Sequence, residues 1–293
     1  MEEIHAFLGT KQGRPLPLPV ADNTRSTRRR SYVTLLTTES FFPGVKALHS
    51  SLTHTTSLYP LLVLVTPNIS LATRHAVEQF AVIQIVDHIV LQSPLDNNNK
   101  LTDTPSWLPS GLTKLHIWRL VAFEKVVYID ADCLVVSNVD NLFEEYTLPS
   151  SFPLAAAPDI FPPDRFNAGV LVISPSEEMF NTLVAKIPST YSYDNGDTGF
   201  LNACFPDWYS SSSHCRLPFR YNAQRTMYWF THEKNKEYWE SLKPLKIIHY
   251  SSSPKPWECP GKAVGVGGDL EWMWWQVYLG TRFNLRSHCF ILY

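Results

Sequence analysis

Cysteine is scarce in this sequence and never closely spaced: Cys133, Cys204, Cys215, Cys259 and Cys289 make five, an odd number, with no Cys-x-x-Cys step. That pattern argues against a disulfide framework and a thiolate zinc site. It suits a reducing, cytoplasmic setting, in which the Asn68-Ile69-Ser70 sequon goes unused. An excess of one charge is also missing. With 25 Lys and Arg against 27 Asp and Glu, interspersed along the chain, the net charge is −2 and there is no nucleic-acid footprint. The only basic run, Arg28-Arg29-Arg30 beside Arg25, reads as part of a solvated tail. No apolar run approaches the roughly 20 residues of a membrane span, and Met1-Glu2-Glu3 does not open a secretory signal. Internal repeats and a dividing linker are absent too. Residues 1–30, rich in proline and arginine, read as a flexible leader, and residues 31–293 as one α/β domain.

What the chain does have is a short run at residues 126–135, Val-Val-Tyr-Ile-Asp-Ala-Asp-Cys-Leu-Val. Its β-branched and aromatic residues read as a buried strand that ends in two acids, Asp130 and Asp132. On an extended chain an i, i+2 spacing points both side chains to one face. Two carboxylates at the open end of a buried strand repel each other and lose solvation unless a cation sits between them. A divalent metal holding a diphosphate meets that need. Asp-X-Asp triplets are also common in solvated turns, so the surrounding chain has to carry the reading.

From Tyr32 onward strands and helices alternate. Strands are expected over 32–37, 61–66 and 82–86, helices over 45–53 and 71–80, then a polar loop through Asn97-Asn98-Asn99. An amphipathic helix over 112–123 feeds the strand that ends at Asp130. This βαβαβ rhythm predicts a single Rossmann-like domain with a mostly parallel mixed sheet, whose ligand binds at the carboxyl ends of the strands. The second half is less regular. It offers strands near 154–157, 169–173 and 246–250, helices after Ser176 and Asp197, and a last helix carrying Trp272, Trp274 and Trp275.

Eight blocks in order carry a family resemblance. They include Thr113-Lys114-Leu115-His116-Ile117-Trp118, Tyr128-Ile129-Asp130-Ala131-Asp132, Phe166-Asn167-Ala168-Gly169-Val170, the stretch from Asp194 to Asn202, Leu217-Pro218-Phe219-Arg220-Tyr221-Asn222, and His249-Tyr250 with Lys255-Pro256-Trp257. In these the chain resembles glycosyltransferase family 8, in particular its glycogenin-like members. The resemblance implies a GT-A fold and a retaining, Mn²⁺-dependent transfer of glucose or galactose from a UDP-sugar donor to a glycan or glycoside hydroxyl. Asp130, Asp132 and His249 would hold the metal. Leu35, Thr37 and Phe41 would hold the uracil, with Ala131 and Ser252 also lining the nucleotide site. Asn167, Asp194 and Asp197 would bind sugar hydroxyls, and Asp159 stands where the family has a further carboxylate. Lys114, Asp194, Asp197 and Lys255 are the expected catalytic group, Lys255 answering charge on the departing UDP. A homodimer is also implied.

Departures bear on the acceptor. Thr198 replaces a glutamine, Ser252 a glycine and Phe41 a tyrosine. Where glycogenin carries its self-glucosylated tyrosine, counting places Trp229, with Tyr228 one residue away. The best fit is therefore transfer to a separate acceptor, with UDP-galactose and a protein-linked glycan first in line. The cytosolic protist branch that modifies a cullin ubiquitin-ligase adaptor has a similar compact layout. A self-glucosylating initiator and a galactinol-synthase-like enzyme acting on inositol are the nearby alternatives. A phosphohydrolase using the first Asp as nucleophile is a more distant one, because Leu134 stands where that chemistry wants Thr or Val. A catalytically dead nucleotide-sugar binder is the last.

Overall fold

Runs of β-branched residues alternating with capped amphipathic segments produce the expected α/β order. The computed structural model describes residues 29–89, 111–149, 152, 154–232, 234–260 and 268–280. Most of the expected leader, the Asn97–Asn99 loop and Cys289 lie outside the described residues. Four parallel strands form the first half: β1 (Arg30–Leu36), β2 (Leu61–Val65), β3 (Val82–Ile85) and β4 (Lys125–Ile129). Helices α1 (Phe42–His54) and α2 (Leu71–Glu78) connect them, α2 capped by Ser70 accepting from the Thr73 N–H. Arg30, counted with the leader in the sequence, is the first residue of β1 and is bound to Glu144.

The strand after β4 is β5 (Cys133–Val135), followed by β6 (Leu154–Pro158) and β7 (Phe166–Ile173). The main sheet runs β3-β2-β1-β4-β7-β6, with β7 antiparallel to both neighbours. Chain order reverses between β1 and β4, so the crevice at their carboxyl ends is the topological switch point where open α/β sheets bind ligands. Alternation along β4 serves two cores: Val127 and Ile129 pack on the α1 side, Val126 and Tyr128 on the opposite side.

Helices α3 (Glu177–Lys186) and α4 (Asp197–Cys204) cover that second face. Asn202 stitches α4 to β7: its amide donates to the carbonyls of Phe166 and Thr198 and accepts the Phe166 N–H. Beyond α4 come β8 (Ala223–Gln224), α5 (Arg225–Thr231), α6 (Lys236–Ser241), β9 (Ile247–His249) and α7 (Asp269–Tyr278). Strands β5, β9 and β8 form a separate three-stranded sheet, and a third core cluster built on Ile248, Tyr250 and Trp274 packs it against α7.

Two expectations need correction. The strand expected to end at the acid pair is β4, but the extended spacing expected through Asp130 and Asp132 is a turn, after which β5 joins a different sheet. The helix expected over 112–123 is present as a shorter 3₁₀ helix, Leu112–Arg119, and it is buried from Leu112 through Trp118 rather than amphipathic. Its polar residues turn inward because distant partners meet them. Thr113 Oγ1 accepts the Ile89 N–H, the His116 ring bonds the Asp87 carbonyl, and Lys114 reaches the site. This segment therefore acts as core. Trp118→Ala should cost about 3–5 kcal/mol by denaturant titration. A cost no larger than that of an exposed substitution would contradict the buried assignment.

Candidate active site

The acid pair is shaped by a turn, not by an extended strand. The Cys133 N–H donates to the Asp130 carbonyl at 3.0 Å, closing a four-residue turn. Helix α1 backs it so closely that a Cβ at Gly44 would lie 2.3 Å from the Ala131 carbonyl oxygen. Ala131 is thus a buried support, and the carboxylates flank it.

The small sheet delivers the histidine. Strand β9 pairs antiparallel with β5, setting His249 opposite Cys133, and the Tyr250 N–H bonds the Asp132 carbonyl. His249 Nε2 then lies 3.3 Å from Asp132 Oδ1 and 3.9 Å from Asp130 Oδ2. Its Nδ1 is 2.8 Å from Asn222 Oδ1. Asn222 spends its amide N–H on Asn167 Oδ1, which also accepts the Gly169 N–H. The Asn222 oxygen is therefore an acceptor, His249 Nδ1 carries hydrogen, and in the neutral ring the Nε2 lone pair faces the acids. Sequence reading had no role for Asn222. Its signal was the Leu217–Asn222 block, which held no chemistry until β9 placed the ring beside it.

On the other side, buried Lys114 donates to the Ala168 carbonyl at 2.9 Å and pairs with Asp130 Oδ1 at 3.0 Å and with Asp197. Tyr128, another residue the sequence did not single out, donates its hydroxyl to Asp130 Oδ1 at 2.6 Å. Thr198 accepts the Ala168 N–H, so both backbone polar groups of Ala168 are held by side chains. Asp194 is occupied differently: its Oδ1 takes the Ser192 hydroxyl and the Gly196 and Gly199 N–H groups, shaping the entry to α4. Asp159 accepts from Gln224 and from the Ile160 N–H.

Lys255 closes the site. Its Nζ lies 2.6 Å from Asp132 Oδ2 and 2.8 Å from the Tyr250 carbonyl, 5.9 Å above the Phe41 ring. Phe41 also meets Trp257 edge-on. Leu35 and Thr37, half-buried, sit at the carboxyl end of β1 and just beyond it, and Ser252 is bound by Arg225 rather than facing the acids. The structure thus brings Lys114, Asp130, Asp132, Asn167, Asp197, His249 and Lys255 into one network.

Charge is unbalanced within that network. Asp130, Asp132 and Asp197 face the ammonium groups of Lys114 and Lys255, which leaves one negative charge when His249 is neutral. Burial works against the Asp132 charge, yet His249 in its protonated form and Lys255 hold its carboxyl well below the usual range. Burial pushes Asp130 up, Lys114 opposes this, and Asp132 and Asp197 add to it. Burial also opposes the charge on Lys114, but Asp130 and Asp197 raise it overall. Two carboxylate oxygens and an imidazole nitrogen suit a hard-to-borderline divalent ion. Asp132 and His249 also share a close ligand group with the Cys133 thiol, whose titration burial pushes well up.

Residues 32–259 match the description Glycosyl transferase family 8. The chain belongs to this family. It is 34% identical to human glycogenin-1 over 231 residues, covering 78% of this chain and 62% of that protein. It is 31% identical over 246 residues to inositol phosphorylceramide glucuronosyltransferase 1 of Arabidopsis thaliana, covering 78% of this chain and 42% of that one. In three dimensions it is similar to the glycosyltransferase GlyE of Streptococcus pneumoniae TIGR4, with a TM-score of 0.60, 23% identity, and coverage of 86% of this chain and 62% of that one. The chain thus spans about three-fifths of the glycogenin it matches. As a glycosyl transferase family 8 member with this sheet order, it has the GT-A architecture its sequence predicted.

Gly169 tests the geometry without altering any of the candidate ligand residues. A Cβ there would lie 2.4 Å from His249 Cε1 and 2.6 Å from Nδ1. Gly169→Ala should swing the ring off Asn222 and lower the affinity of the acid pair for a divalent ion by about 10- to 100-fold, as loss of a supporting shell does. Calorimetric titration with Mn²⁺ reads this directly, and unchanged affinity would contradict the arrangement.

Proposed function

We propose that this chain is a retaining, Mn²⁺-dependent glycosyltransferase that moves a neutral hexose from UDP-hexose to a hydroxyl of a separate glycan or glycoside. One observation carries the reading: Asp130, Asp132, His249 and Lys255 converge at the sheet's switch point, with net negative charge and an oxygen-rich donor set. Mn²⁺ held by Asp130, Asp132 and His249 would neutralise the donor diphosphate. The chain's own residues do the rest. Asn222 fixes the His249 tautomer, and Phe41 offers an aromatic face beside the β1 end that would receive the uracil. Lys255 moves from Asp132 to the diphosphate and stabilises charge as UDP departs.

Asp194 and Asp197 fit hydrogen-bond acceptors for sugar hydroxyls better than free nucleophiles. Three donors hold one oxygen of Asp194, and Lys114 holds Asp197. These carboxylates, with Asp159 nearby, would repel a uronic acid and favour a neutral hexose, even though one relative is named a glucuronosyltransferase. UDP-galactose and a protein-linked glycan are the first pair to test, following the resemblance to compact cytosolic enzymes. The four described cysteines are free, which supports a reducing compartment, and no described helix is long and apolar enough to cross a membrane.

A separate acceptor is supported by the segment around Tyr228. Its ring is buried, its hydroxyl donates to Asp269 Oδ2 at 3.4 Å, and burial pushes the phenol well up. Trp229 lies against the Arg225 guanidinium and offers no hydroxyl.

Three outcomes follow. UDP-galactose or UDP-glucose should be hydrolysed faster than UDP-glucuronate with Mn²⁺. EDTA or Asp132→Asn should remove that activity while leaving the melting temperature within a few degrees. Full turnover in EDTA would end the metal reading. Intact mass after incubation with donor should stay unchanged, and a ladder of hexose additions lost in Tyr228→Phe would instead make the chain its own acceptor.

A further inference from the structure

The most deeply buried ion pair among the described residues lies outside the acid network. Arg225 is 0% exposed and Glu271, on α7, is 4% exposed. Arg225 Nη1 meets Glu271 Oε1 at 2.9 Å. The other face of the guanidinium turns to the loop after β9. Nη2 donates to the Ser252 carbonyl at 2.8 Å, the Ser252 hydroxyl at 2.7 Å and the Pro254 carbonyl at 2.9 Å. Nε reaches the same hydroxyl at 3.3 Å. The Arg225 guanidinium carbon lies over the Trp229 and Tyr250 rings, 4.4 and 5.4 Å from their centroids.

All three guanidinium nitrogens are thus committed, and two bonded carbonyls belong to residues one and three positions before Lys255. Arg225 fills an arch whose near foot is Tyr250 and whose far foot is Lys255. The Lys255 ammonium ties the feet together through the Tyr250 carbonyl and Asp132. A buried ion pair gives little net stability against an apolar replacement. What this one does supply is a fixed, planar template for loop carbonyls that otherwise have no ladder partner.

We propose that Arg225 and Glu271 form a positioning pair that presets the arch of residues 251–255, so that Lys255 is aimed at the acid pair and at the donor diphosphate. Glu271 anchors Arg225 to α7, Arg225 anchors the arch, and the arch aims Lys255. The role at the diphosphate rests on the transferase reading above. The aim of Lys255 does not.

Two readouts separate these parts. The first needs no ligand: modification of the Lys255 amine by an acylating reagent, followed by peptide mass spectrometry, on wild type, Glu271→Gln and the double replacement Arg225→Met/Glu271→Leu, which leaves no orphan charge. Lys255 should react about fivefold or more faster in both variants while surface lysines keep their rates, since a lost anchor frees the bonds holding the amine. Equal Lys255 rates in folded variants would overturn the proposal. The second is a double-mutant cycle on affinity for UDP plus Mn²⁺. The double replacement should weaken binding about tenfold with Lys255 present and less than about twofold in a Lys255→Ala background, because both changes act through one contact. The same loss in both backgrounds would make the pair purely structural and overturn the proposal. Faster acylation in a protein that binds no UDP would uphold the positioning and remove only the transferase reading.

Discussion

The structure depends on one electrostatic problem, two carboxylates set side by side at the end of a buried strand. Asp130 and Asp132 cannot be solvated as they would be on a surface, so each neighbouring element brings a group that answers them. The 3₁₀ segment brings Lys114, β4 itself brings Tyr128, β9 brings His249, and the following arch brings Lys255. Three carboxylates against two ammonium groups still leave a deficit, which is a standing demand for a cation. The same deficit disfavours a bare diphosphate.

That demand explains features that are odd in a simple doubly wound sheet. A separate sheet with strands of two or three residues has little stability of its own, but it fixes His249 opposite the acid turn. Phe41, beyond the β1 end, lies beneath the Lys255 ammonium, which is 5.9 Å from the ring centre. The α4 entry, shaped by Asp194, brings Asp197 to Lys114 from the opposite direction. The contacts of His249 and Lys255 with Asp132, and of Lys114 with Asp197, cross between elements far apart in sequence, so the site depends on long-range packing.

The same distance explains which parts were legible in the sequence. Strands β1, β2 and β4 announce themselves because burial on both faces demands continuous apolar runs, and Asp130 and Asp132 stand out against such a run. The 112–123 segment was misread because Thr113, Lys114 and His116 look like a solvent face, whereas bonds to Ile89, Asp130, Asp197 and Asp87 pull them inside. Strands as short as Ala223–Gln224 have no period to read. Asn222 and Arg225 were invisible as functional residues: an amide and a cation near aromatic residues carry no meaning until His249 and Ser252 lie beside them. The resemblance supplied His249 and Lys255, which spacing alone did not separate from an ordinary strand end and a solvated loop.

The central claim is that the acid pair holds a divalent ion through which a uridine diphosphate is bound, and differential melting tests it without any acceptor. With saturating UDP and Mn²⁺ together the melting temperature should rise by about a few degrees, while UDP alone, facing a net negative site, should give no shift. An equal rise with UDP in the absence of metal would contradict the account.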